Sequence, residues 1–256
     1  SMTYLQLSFL MGGYVLIVSR GKYMSGKLYG REKEAGIIED AFKQARQGSC
    51  ELVLISGNSG TGKTALLQSV TASLLKKRMV LAEGKFDQYG GDEPYSAFIQ
   101  AFRSLIRQIL AEPQSSVTHW KGIIRKILGR NTALFSSLIP EIGLLLGNAD
   151  TKQAADHQLI QDRFRTIFVK LLQIFSSTDQ LLVLLLDDLQ WADDASLQLL
   201  ENILEDQQNG CLLLIAAYRP EEAGRQLEST LEKIKRTAPA VRLISLHNIP
   251  IGAAGR

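Results

Sequence analysis

Hydrophobic and polar residues follow two rhythms along this chain, and the switches between them mark out its elements. Short strand-like runs recur at Glu51–Ser56, Met79–Phe86, Leu181–Leu186, Cys211–Ala217 and Val241–Leu246. Leu181–Leu186 is almost wholly aliphatic and, with Cys211–Ala217, reads as a strand buried on both faces, as in a parallel sheet. Between them, apolar residues return every three or four positions. Ile37, Ile38, Ala41 and Phe42 share one face of a helix predicted over 31–47. Phe98, Ala101, Phe102, Leu105, Ile106 and Ile109 line another over 96–111. Further helices are predicted from the end of residues 57–64 to about Lys77 and over 158–175, 196–204 and 222–237. Residues 116–147 read as two or three short helices punctuated by Gly129 and Pro140, followed by a polar linker at 148–157. This alternation of strands and helices predicts an α/β fold. Its parallel sheet would be flanked by helices on both faces, a three-layer α/β/α arrangement with a helical insertion around 96–175.

Residues 1–26 follow a different pattern. Residues 3–19 carry no charge, and Gly12-Gly13 interrupts them. Arg20 and Lys22 come after the run, whereas a secretory leader has its basic residues before it. Alternation on either side of Gly12-Gly13 reads as an extra strand or hairpin; a remnant of an upstream domain and a membrane-linked segment are the other two readings. The domain proper is expected over 27–250.

Composition narrows the class without naming it. An apolar content of 45% with 21% charged residues in 256 is that of a globular domain. The net charge of +3, from 29 Lys+Arg against 26 Asp+Glu, comes without a clustered basic stripe, so direct nucleic-acid binding is not expected. Membrane contact is not expected either. Cys50 and Cys211 lie far apart with no metal-type spacing, which fits reduced thiols in a cytoplasmic protein. His119, His157 and His247 show no metal spacing.

The candidate chemistry begins at residues 57–64, GNSGTGKT, between an aliphatic run and a helix-forming one. Gly57, Gly62, Lys63 and Thr64 make the G-x-x-x-x-G-K-[ST] pattern of a phosphate loop. Glycines let the backbone of Gly57, Asn58, Ser59, Gly60, Thr61 and Gly62 curl around an anion, so that N–H groups point inward. The helix that opens at Lys63, Thr64 and Ala65 offers free N–H groups and the positive end of its dipole. Lys63 would reach the β- and γ-phosphates, and the Thr64 hydroxyl would ligate Mg²⁺. A second piece lies downstream, where the run Leu181–Leu186 ends in Asp187-Asp188. One carboxylate would hold Mg²⁺; the other would orient or deprotonate an attacking water.

Further residues carry a family resemblance. LLLDDLQWADDASLQLL resembles the acidic motif of signal-transduction ATPases with numerous domains, the STAND NTPases. LYGREKE (28–34), GKFDQ (84–88), PYSAFIQAF (94–102), LIPEIGLLLG (138–147) and AAYRPEE (216–222) point the same way. Together they are similar to the ATPase module of large bacterial hybrid sensor kinases and multi-domain serine/threonine kinases. They also look like the module of maltose-regulator-type activators and some adenylate cyclases. The resemblance implies that Leu28, Tyr29 and Arg31 border the adenine of ATP. It makes Asp187 the Mg²⁺-associated acid, Asp188 the water-orienting acid and Arg219 a sensor of the γ-phosphate, with Lys63, Asp188 and Arg219 as the catalytic set. Trp191 is expected to pack and Asp193 to cap a helix or anchor a loop, while Gln190 has the reach to approach the γ-phosphate as a lesser alternative.

The function this implies is an ATP-binding, Mg²⁺-dependent nucleotide switch of a bacterial signalling protein, hydrolysing ATP slowly to ADP and phosphate. The alternative is an interaction scaffold that nucleotide stabilises without turnover. The expected partners are nucleotide, the other domains of a parent protein, and a second copy in a nucleotide-dependent self-association. No H-R-D loop or D-F-G of a protein kinase occurs. Family members continue into a helical lid and a winged-helix domain. The chain is therefore expected to be a fragment or minimal core, with 251–256 as the start of a lid region it lacks.

Overall fold

The structure, a computed structural model, describes residues 30–74, 79–88, 94–147, 157–176, 180–206, 210–238 and 240–248. Residues 1–26, Leu28, Tyr29, the linker 148–156 and residues 251–256 lie outside that set.

Each of the five strand-like runs forms a strand: β1 (Cys50–Gly57), β2 (Met79–Lys85), β3 (Leu181–Asp187), β4 (Leu212–Tyr218) and β5 (Val241–Leu246). All pair in parallel, in the order β2-β3-β4-β1-β5. Because every strand runs the same way, all the carboxyl ends reach one edge. Because β4 is inserted between β1 and β3, the chain leaving β4 emerges between the end of β1 and the end of β3.

The period of two along the strands divides the interior into two cores. Leu52 and Leu54, with Leu182, Leu184, Leu212 and Leu214, face one layer: α3 (Ser96–Leu110), α4 (Gln114–Leu128), α5 (Thr132–Leu138), α6 (Pro140–Leu146), α7 (His157–Phe175), α8 (Asp194–Glu205) and α9 (Arg225–Thr237). Val53 and Ile55, with Leu181, Val183, Leu213 and Ile215, face the other: α1 (Glu32–Ala45) and α2 (Lys63–Leu74). The expected three layers are present, with very unequal helical layers.

Aromatic rings bind the larger layer together. Tyr95 stacks on Phe164 at 4.5 Å and Trp120 on Phe175 at 4.9 Å, while Phe98 meets Phe168 edge-on at 5.5 Å. Glu141 of α6, buried, accepts hydrogen bonds from Arg103 Nε (3.0 Å) and Arg107 Nε (2.9 Å) of α3. The layer lies directly on β2: a Cβ added at Gly84 would come 1.9 Å from the Ala97 carbonyl oxygen.

Element boundaries follow local chemistry. Gly129, at φ +50°, ends α4, and Pro140 opens α6, where its missing N–H costs nothing. Strand β4 begins one residue later than its apolar run, because Cys211 takes a left-handed φ of +54°. Helix α9 begins at Arg225 rather than 222, because Pro220–Glu222 form a short 3-10 turn first. Cys50 and Cys211 are buried free thiols. Among the described residues no helix is long and apolar enough to cross a membrane.

Candidate functional site

The carboxyl edge of the sheet gathers most of the chemistry that the sequence singled out. Gly57 is the last residue of β1 and pairs with Leu246 of β5. A Cβ there would stand 2.6 Å from Thr61 Oγ1, so only glycine lets the loop fold this closely over the strand end. The chain then turns through Gly60 (φ +78°) and Gly62 (φ +89°), conformations that glycine adopts freely. Thr61 closes the turn, donating through its N–H (3.3 Å) and its hydroxyl (2.9 Å) to the Asn58 carbonyl. Helix α2 opens at Lys63, and its ladder starts with Leu66 N–H on the Gly62 carbonyl at 2.9 Å. Asn58, Ser59, Gly60, Thr64 and Ala65 are exposed.

Lys63 is buried and turned back over the loop, donating to the carbonyls of Gly57 (2.6 Å) and Asn58 (3.0 Å). Burial holds its pKa below the ordinary lysine value, and the charge of Arg219 adds to that; Asp187, Asp188 and Glu222 pull the other way. A lysine lowered by burial and a neighbouring cation gains from an anion beside it.

The acids stand two strands away, at the end of β3. Asp187 is its last residue, and its Oδ1 accepts the Asp188 N–H at 2.9 Å. Burial raises the Asp187 pKa, and the adjacent Asp188 charge raises it further. Asp188 takes a left-handed φ of +55° that turns its side chain into a cluster of donors. Lys85 Nζ pairs with Asp188 Oδ2 at 2.8 Å and Gln190 Nε2 donates to its Oδ1 at 3.1 Å. Arg219 Nε lies 3.8 Å away. Burial alone would raise the Asp188 pKa. The bonds from Lys85 and Gln190, with the Lys85 and Arg219 charges, outweigh it and hold the carboxyl below its usual range.

Arg219 leaves β4 between these two groups. Its Nη1 pairs with Glu222 at 2.8 Å, the bond that raises its pKa, and its backbone N–H donates to Gln190 Oε1 at 3.1 Å. Its Nε is buried and has no hydrogen-bond partner among the described residues. A buried donor left unpaired in a cluster of charges is a ready place for an acceptor.

Lys63, Asp187, Asp188 and Arg219 thus share one edge with the exposed loop residues and Thr64. Leu28 and Tyr29 lie outside the described residues. Arg31 is buried, with its guanidinium on the backbone of Thr61 and His247 and on Glu34. Gln190 is spent on Asp188, Glu222 (3.5 Å) and Arg219, so its amide ties the end of β3 to the end of β4. Trp191 packs against the larger core, and Asp193 caps α8 by accepting Ser196 N–H at 2.8 Å, both as expected. Sequence reasoning missed Lys85 and Glu222. Lys85 ends β2 and lies in register with Asp187; it falls inside the GKFDQ stretch that carries the resemblance, but that stretch suggested no role for it.

The donor set suits a hard cation. The Thr64 hydroxyl and the Asp187 carboxylate would supply oxygen ligands, and two adjacent carboxyls carry a repulsion that a divalent ion would relieve. Mg²⁺ keeps several waters and takes few protein ligands.

Residues 27–215 match the family model described as the AAA ATPase domain. The chain belongs to that family. With its five-stranded parallel sheet between helical layers, this AAA ATPase domain has the P-loop NTPase fold. It is 33% identical over 198 residues to the hybrid signal transduction histidine kinase G of Dictyostelium discoideum, an alignment covering 77% of this chain and 6% of the kinase. It is 27% identical over 187 residues to histidine protein kinase 1 of Candida albicans, covering 68% of this chain and 8% of the kinase. The AAA ATPase domain therefore spans less than a tenth of either relative. Among solved structures, Cdc6p from Pyrobaculum aerophilum aligns with a TM-score of 0.49 and 14% identity, over 91% of this chain and 50% of that one.

Proposed function

We propose that the carboxyl edge of the sheet binds ATP with Mg²⁺, and that this AAA ATPase domain is a nucleotide switch of the STAND type within a signalling protein. The carrying observation is the convergence of Lys63, Asp187, Asp188 and Arg219, from three neighbouring strand ends, on one exposed glycine loop. The loop N–H groups and the first turn of α2 would take the β- and γ-phosphates, with Lys63 moving from the loop carbonyls onto them. Thr64 and Asp187 would hold Mg²⁺, which neutralises charge on the phosphates. Asp188, kept ionised by Lys85 and Gln190, would orient the attacking water. Arg219 would turn its unpaired Nε to the γ-phosphate and stabilise the charge developing there. Hydrolysis is slow on this reading, because Asp188 and Arg219 are each held by another side chain that must yield first.

The histidine kinases that resemble the chain support the signalling role, with other domains of such a protein as its partners. Those relatives come from an amoeba and a fungus, so it is the signalling class rather than a bacterial origin that they support. A cytoplasmic setting fits the buried free thiols. The internal pairing of Lys85 with Asp188 and Glu222 with Arg219 favours one second reading, a scaffold that nucleotide stabilises without turnover. Phosphate release from ATP and Mg²⁺ separates the two. Slow release that Asp188→Asn abolishes supports the switch; a raised melting temperature with no release supports the scaffold.

A further inference from the structure

We propose that Arg31 is a positioning residue coupling the glycine loop to the chain that leaves β5. The proposal rests on the nucleotide reading of that loop. Arg31 is the residue before α1, and 7% of it is exposed. Nη1 pairs with Glu34 Oε1 at 2.9 Å. Nη2 donates to the Thr61 carbonyl at 3.0 Å and also to the His247 carbonyl. A single guanidinium nitrogen therefore holds the loop and the residue just past β5 together, while Glu34 fixes the guanidinium from the other side.

The two segments also touch without Arg31. Gly57, where the loop begins, pairs with Leu246, and a Cβ at Gly57 would come 3.1 Å from the Leu246 carbonyl oxygen. The end of β5 thus meets the loop at its start through packing and near its finish through Arg31. Thr61 precedes Gly62, the positive-φ residue that turns the loop into α2. A phosphate seated in the loop draws N–H groups inward, and the planar Thr61–Gly62 peptide carries its carbonyl as it turns. That carbonyl is one of the two on Arg31 Nη2, so its movement reaches His247. Lysine keeps the charge but has no planar fork to hold two carbonyls and a carboxylate at once.

The Gly62 and Asn248 amides share peptide units with the two carbonyls, so their resonances report each end of the link. Isotope-labelled wild type titrated to saturation with ATP and Mg²⁺ is expected to shift both. In Arg31→Ala at saturation, Gly62 still responds while the Asn248 shift falls by at least about threefold, with Arg31→Lys in between. Glu34→Ala leaves Arg31 in place without its anchor and is expected to weaken the Asn248 response in the same direction, which covers the case of an unfolded Arg31→Ala. An Asn248 shift undiminished in the folded variants overturns the coupling, as does a wild type that binds ATP with Asn248 unmoved. A wild type that fails to bind ATP overturns the nucleotide reading itself, and the coupling with it.

Discussion

Replacing Lys85 with methionine tests the electrostatics of the site on their own. The Lys85 Nζ–Asp188 Oδ2 contact is 2.8 Å, with the lysine side chain 60% exposed and the aspartate 10% exposed. Two unit charges at that distance attract by about 6 kcal/mol at an effective dielectric of ~20 and by about 1.5 kcal/mol in water. The open lysine side, screening by salt and the entropy of fixing a long side chain bring the net value to about 1 kcal/mol. Gln190 and Arg219 remain beside Asp188, so the carboxylate is not stranded by the substitution. The pH dependence is the sharper part. The Asp188 pKa is lowered in the folded protein, so its share of the stability is present above about pH 4 and is lost as pH falls through the lowered value. The Lys85 pKa is raised, chiefly by its bond to Asp188, so its share is present below about pH 10.4 and is lost as pH rises through the raised value. The stability gap between wild type and Lys85→Met should therefore form a plateau with two edges, read by urea unfolding across pH. A gap that does not shrink as pH falls through the acid range, or none at pH 7, would refute the pairing.

Two further substitutions test the frame that carries the site. Gly84→Ala drives a Cβ to 1.9 Å from the Ala97 carbonyl oxygen, a backbone atom that moves only with α3. It should cost about 3 kcal/mol and lower the melting temperature by roughly 6–12 °C; an unchanged melting curve would mean that α3 does not lie directly on β2. Asp193→Ala removes the cap of α8 and an acceptor for the Tyr95 N–H at 3.2 Å, and should cost about 1–2 kcal/mol in urea unfolding. Asp193→Asn, which keeps a cap, should recover most of that loss; equal losses in both variants would contradict the capping role.

The framework was legible because its signals are local. Apolar runs announced the strands, helical spacing announced α1 and α3, and the cap was one of the two uses expected of Asp193, although α8 begins at Asp194 rather than about Ser196. The glycine loop was legible for the same reason, since residues 57–64 are contiguous and their φ requirements select glycine. What escaped depends on strand order, which no local pattern encodes. Lys85 meets Asp188 only because β2 lies beside β3. The burial of Glu141 under Arg103 and Arg107 is likewise a product of α6 folding back on α3. The bonds of Arg31 were equally out of reach of a local pattern, since its carbonyl partners, Thr61 of the loop and His247 just past β5, lie far apart in sequence. The use of the Gln190 amide in joining two strand ends is a further consequence of strand order.

The central claim is that the loop at 57–64 binds the phosphates of ATP through Lys63. Calorimetric titration of ATP into wild type and Lys63→Ala, each with and without Mg²⁺, tests it most directly. A charge-assisted hydrogen bond contributes about 1.5–3 kcal/mol, so the variant should bind roughly 10- to 100-fold more weakly, with Mg²⁺ strengthening wild-type binding. Equal binding by the two proteins, with or without Mg²⁺, would contradict the account.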